Sequence, residues 1–145
     1  MIEYKFRAWF SDLSARTSAI LVDTFFLKDL RGSINFEGDP DEEHVCVTPR
    51  GFDIKDALFV DEFTGVRDSK GREIFEGDFL ECQGNRWAVI FNENKLAFEA
   101  INRNHGAYDY LWMVSDYLGI EVVGNIHENP ELAWDALKDV KERRK

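Results

Sequence analysis

Four carboxylates, Asp68, Glu73, Glu76 and Asp78, crowd into one short stretch of the chain. Paired carboxylates can divide acid and base work when their surroundings drive the two pKa values apart. The same stretch is punctuated by Gly65, Gly71 and Gly77, six residues apart, and Asp beside Gly is equally what tight turns require. Asp68 and Asp78 are therefore assigned to turns. Upstream, Glu37, Asp39, Asp41 and Glu43 place acids at alternate positions, as a calcium loop would. The central glycine and closing bidentate glutamate of an EF-hand are missing. With five carboxylates in residues 37–43, mutual repulsion favours a hydrated loop instead.

His44 and Cys46 stand two apart, but two ligands do not make a zinc site, and no nearby His or Cys completes a set of four. Cys46 reads as a small buried hydrophobe. His105 and His127 fall in loop-like or strand-end segments. The sequence contains no G-x-S-x-G elbow, phosphate-binding P-loop, HExxH or GxGxxG. It assigns no catalytic residue, cofactor or metal ligand, and the expectation is a protein that is not an enzyme.

The elements that would position these groups are mostly strands. Residues 2–10 alternate, with Ile2, Tyr4, Phe6, Ala8 and Phe10 on one face and Glu3, Lys5, Arg7 and Trp9 on the other. Residues 19–27 and 44–49 continue the strand character, whereas 54–63 fit either a strand or a short amphipathic turn. From Glu73 the pattern sharpens into short strands around Phe79-Leu80, over 86–91 and over 96–101, joined by tight turns as a meander. Tyr110, Leu111, Val114, Tyr117 and Leu118 have helical spacing, so a short helix near 109–118, closed by Gly119, is expected. Gly124 marks a bulge or close approach in a strand over 120–126. Asn129 as N-cap, Pro130 at the first position and a stripe of Leu132, Ala133, Ala136, Leu137 and Val140 predict a C-terminal helix near 130–143. The expected fold is mainly β, a small curled sheet or SH3-like barrel with added strands and these two helices. It forms one domain over 1–145: a variable strand region 11–62, a meander core 63–126 and the C-terminal helix.

A chain of 145 residues with 44% hydrophobic content can bury a genuine core. Two cysteines outside any CxxC pair cannot frame a disulfide scaffold, which points to a reducing compartment. The N-terminus lacks the basic-then-apolar pattern of a signal peptide, and no apolar run is long enough to span a bilayer, so a protein without membrane association is expected. The formal charge is −10, and residues 63–126 carry 10 acids against 6 bases. A basic groove for direct nucleic-acid binding is therefore not expected.

YKFRAW at the N-terminus, TGVRDSKGREIFEGDFLE in the centre and EVVGNIHENPEL near the end together resemble the YopX-like family of phage and prophage proteins. The three segments occur in the family's order and bracket residues 4–132. The resemblance implies a mostly β fold, a phage or mobile-element setting in the cytoplasm of a bacterial host, and no catalytic motif to carry over. Its matching positions are glycines, aromatics and turns, with Gly65, Gly71, Gly77, Asp78 and Gly124 as the structural turn residues. Trp9, Trp112 and Trp134 are the candidates for contacts with a protein partner, either a second copy in a homo-oligomer or a host or phage protein. The alternative function is an acidic protein whose carboxylates mimic phosphates and occupy a host nucleic-acid-binding protein.

Overall fold

The computed structural model describes residues 4–11, 20–29, 31–32, 46–104, 106–134 and 137. The acidic segment 37–43 and His44 and His105 lie outside these residues. Backbone proximity divides the chain into two compact units, Met1–Glu62 and Phe63–Lys145.

In the first unit, β1 (Lys5–Ser11) pairs antiparallel with β2 (Ile20–Phe26) and with the start of β5 (Phe59–Arg67). A two-residue ladder joins β3 (Arg31–Gly32) to β4 (Cys46–Val47). One face of β1 and β2 supplies Ala8, Phe10 and Phe25, packed with Phe6, Phe52, Ile54 and Ala57. Phe52 stacks on Phe10 with ring centres 4.8 Å apart. The open question over 54–63 resolves into both alternatives. Residues Ile54–Asp56 form a 3-10 turn whose first free amide, Lys55 N–H, is capped by Asp53 Oδ1 at 3.1 Å, and β5 follows. The opposite face of β1 is not simply solvated. Trp9 is only 2% exposed. Its indole N–H donates to Asp61 Oδ2 at 2.8 Å, and Arg7 donates to the same oxygen from Nε at 3.1 Å and Nη2 at 2.9 Å. The period-2 pattern placed Trp9 on the polar face correctly, but Asp61 lets that face be buried.

The second unit is built on a five-stranded antiparallel sheet. Its strands are β7 (Asp78–Cys82), β8 (Asn85–Asn92), β9 (Ala97–Asn102), β10 (Tyr108–Tyr110) and β11 (Glu121–Asn125), in the order β10-β9-β8-β7-β11. A short β6 (Glu73–Phe75) pairs with the end of β5. The β7–β8 connection is the two residues Gln83 and Gly84, with φ of 49° and 80°, the left-handed pair that matches the twist of a hairpin. Alternation fills both faces of the sheet. Leu80, Trp87, Val89 and Ala100 pack with Leu111, Val114, Ile74 and Ile120 on one side. Phe79, Ala88 and Ile101 pack with Leu137, Leu132 and Trp134 on the other.

The fold is mainly β, and of the two expected architectures the open sheet is the one observed: among the described residues no sheet closes into a barrel. The helix near 109–118 is shorter than its spacing suggested. α1 spans Leu111–Ser115, because Tyr108–Tyr110 extend to pair with β9. Leu111 and Val114 alone of the expected stripe reach the core. At the C-terminus Pro130–Leu132 form one 3-10 turn, and Ala133 is extended at φ −70°, ψ 156°. Asn129 makes no side-chain cap; its Oδ1 instead accepts from Asn125 N–H at 3.2 Å. Trp134 is not helical, Leu137 is, and residues 135, 136 and 138–143 of the predicted helix lie outside the described residues.

Candidate functional site

Of the residues first singled out for chemistry, Glu73 begins β6 and Glu76 lies in the turn before β7, while Asp68 and Asp78 hold turn amides. Asp68 is buried, and its Oδ1 accepts from the amides of Lys70 at 2.9 Å and Arg72 at 2.8 Å, closing the β5–β6 connection. Its Oδ2 accepts from Val122 N–H on β11 at 3.0 Å. Asp78, 1% exposed, accepts from Phe75 N–H at 2.8 Å across the turn that carries Gly77. Gly77 itself has φ of 90° and lies between two neighbours, its N–H donating to Val89 and its carbonyl accepting from Ile126. Gly71 closes the Asp68 turn, and Gly65 sits at a register shift in β5. Gly124 follows a shift between Val122 and Gly124 on β11. A Cβ there would lie 2.4 Å from Asn129 Oδ1, so the chain passes too close for a side chain.

The three tryptophans separate. Trp9 is interior and hydrogen-bonded to Asp61. Trp134 is half-buried against Phe79, ring centres 6.0 Å apart. Trp112 is 61% exposed and stacks nearly parallel on Tyr110 at 6.5 Å. It belongs to a run of exposed apolar side chains that includes Tyr108, Tyr110, Met113, Tyr117 and Leu118, the last 93% exposed. Helical spacing puts Tyr110, Tyr117 and Leu118 on one stripe with Leu111 and Val114. Five helical residues bury only two of that stripe, and the rest stay outside. The signal that could have shown this is the period of two in Tyr108-Asp109-Tyr110, which marks a strand.

Beside this run lies a cleft of about 420 Å³. Cys82, Asn85 and Trp87 of the sheet, Asp109 of β10, and Tyr117 and Leu118 after α1 line it, together with Gln83 and Asn102. Cys82 Sγ donates to the Leu118 carbonyl at 3.2 Å, holding the segment after α1 against β7. Trp87 and Tyr117 meet with ring centres 5.7 Å apart. The Trp87 indole N–H is buried without an acceptor among the described residues. Asp109 supplies the cleft's one carboxylate, and no Lys or Arg lines it among the described residues. Tyr117 and Leu118 of the run line the cleft, so it can hold an apolar group at its rim and a hydrogen-bonding or cationic group within; Tyr108 and Tyr110 lie on the other face of β10.

Among the described residues no cluster of three or more His, Cys, Asp or Glu is placed to hold a metal ion, and no helix is long and apolar enough to cross a membrane. A search of curated proteins found no match. Among solved structures, the crystal structure of protein EF1440 from Enterococcus faecalis is similar at 22% identity, with 89% of this chain and 96% of that chain covered and a TM-score of 0.42. The family model described as YopX protein matches residues 5–133, a span that contains the central and C-terminal segments quoted above and most of the first. The chain belongs to the YopX family.

Proposed function

We propose that this chain is a phage or prophage accessory protein that works by protein contact through the β10–α1 surface, in its simplest form by association of two copies. The observation that carries the reading is Trp112, exposed and stacked on Tyr110, within a run where Tyr108, Met113, Tyr117 and Leu118 are exposed as well. Exposed aromatics in mutual contact, as Tyr110 and Trp112 are, mark sites that a partner covers, and aromatic anchors dominate contact energies.

Native mass spectrometry and light scattering at roughly tens of micromolar test the self-associating form. The expected result is an oligomer that the Trp112→Ser, Leu118→Ser double substitution converts to monomer without changing the circular dichroism spectrum. A strictly monomeric wild-type protein removes self-association and leaves contact with a host or phage protein, which affinity purification from infected cells would identify. The phosphate-mimicking alternative rests on the charge of −10. It is the weaker reading, because Asp61, Asp68, Asp78 and Glu99 are buried in the fold. Failure to retain nucleic-acid-binding proteins in low-salt pull-downs would eliminate it.

A further inference from the structure

We propose that the outer edge of β10 receives an extended basic peptide segment, which pairs with the strand through its backbone and sets an arginine or lysine against Asp109 in the cleft. The inference rests on the protein-contact reading and names the partner's chemistry.

Among the described residues the edge is open. β10 ends the five-stranded order, and among the described residues its strand partner is β9. Asn102 N–H donates to the Ala107 carbonyl at 2.9 Å, and Asp109 lies opposite Ala100. In an antiparallel ladder the bonded positions alternate, so residues 107 and 109 turn their peptide groups toward β9 and Tyr108 turns its own outward. Such an edge is a template for strand addition.

The side chains on either side of that edge differ. Asp109, opposite Ala100, shares the face of Val89 and lines the cleft with Trp87. Tyr108 and Tyr110, opposite Ile101 and Glu99, lie on the other face. An added strand would therefore direct alternate side chains into the cleft and over the tyrosines. Among the described residues Asp109 makes no ion pair and no cation lines the cleft, and the chain carries −10. Complementarity then selects a basic residue at the cleft position. A second copy fits this edge poorly. An isologous β10–β10 pairing that matched Tyr108 with Tyr110 of the other copy would oppose the two Asp109 carboxylates, an arrangement that destabilises neighbouring strands.

The test uses the full chain and a fluorescently labelled nine-residue peptide of alternating valine and arginine, followed by anisotropy. Two comparison peptides carry glutamate for arginine, or N-methyl groups on alternate backbone amides. The arginine peptide should bind about tenfold or more tightly than its glutamate twin and weaken as salt rises. N-methylation should abolish binding, and Asp109→Lys should reverse the preference. Equal binding of the two charges, indifference to N-methylation, or an unchanged preference in Asp109→Lys would each overturn the proposal. The N-methyl comparison leaves the protein unaltered, so it holds even if a variant folds badly. If the peptide fails while Trp112→Ser, Leu118→Ser still shifts the oligomeric state, the protein-contact reading survives and the strand-addition proposal does not.

Discussion

Replacing Gly124 with alanine tests whether close approach, rather than backbone freedom, dictates glycine on β11. The new Cβ would meet Asn129 Oδ1 at 2.4 Å, Cγ at 2.8 Å and Cβ at 3.2 Å. The first two distances cannot be tolerated, so the Asn129 side chain must swing away and release Asn125 N–H, which it holds at 3.2 Å. Losing that bond costs about 1 kcal/mol, and overpacking adds about 1–2 kcal/mol. Alanine is better than glycine in a strand interior by roughly 0.5–1 kcal/mol, which offsets part of the loss. A net destabilisation of about 1–2 kcal/mol follows. Urea unfolding read by circular dichroism, with hydrogen exchange at residues 122–126, would measure it. Asn129→Ala alone should cost about 1 kcal/mol through the lost hydrogen bond. The double substitution should cost no more than Asn129→Ala, because only the 3.2 Å approach remains and a small shift relieves it. Additive losses across this cycle, or a Gly124→Ala protein as stable as wild type, would refute the steric argument.

Asp61→Ala should destabilise the first unit by about 1–3 kcal/mol, since it removes the acceptor that the Arg7 guanidinium and the Trp9 indole N–H share; chemical denaturation followed by tryptophan fluorescence would show it. Leu96 holds φ of 51° while 78% exposed, so Leu96→Gly should raise stability by about 1 kcal/mol and the thermal midpoint with it. Gln83→Gly should also stabilise, by roughly 0.5–1 kcal/mol, because glycine enters the left-handed first position of the hairpin without strain. Trp112→Ser should leave the unfolding free energy from urea titration within about 0.5 kcal/mol of wild type, as expected for an exposed side chain.

The meander was legible because strands of alternating character were separated by turns with their own chemistry, as at Gln83-Gly84. The turn roles of Asp68 and Asp78 were legible for the same reason, being local relations of an acid to amides a few residues away. What local pattern could not show was the distant partner. Nothing near Trp9 announced that Asp61, on another strand, would supply its acceptor. The candidate surface was hidden by a similar ambiguity. Tyr110, Leu111, Val114, Tyr117 and Leu118 suit a helix in isolation, and only the pairing of Tyr108–Tyr110 with β9 cuts that helix to five residues and leaves the aromatics outside. Asn129 looked like a helix cap because its competing use, holding the Asn125 amide, depends on how β11 ends.

By holding Val122 as well as its own neighbours, the Asp68 carboxylate makes the path between these two positions a detour that departs from and comes home to one address. The connections at 93–96 and 103–107 both lie on that detour. A chain lengthened or shortened at 93–96 should therefore keep its point of departure and its point of return fastened together.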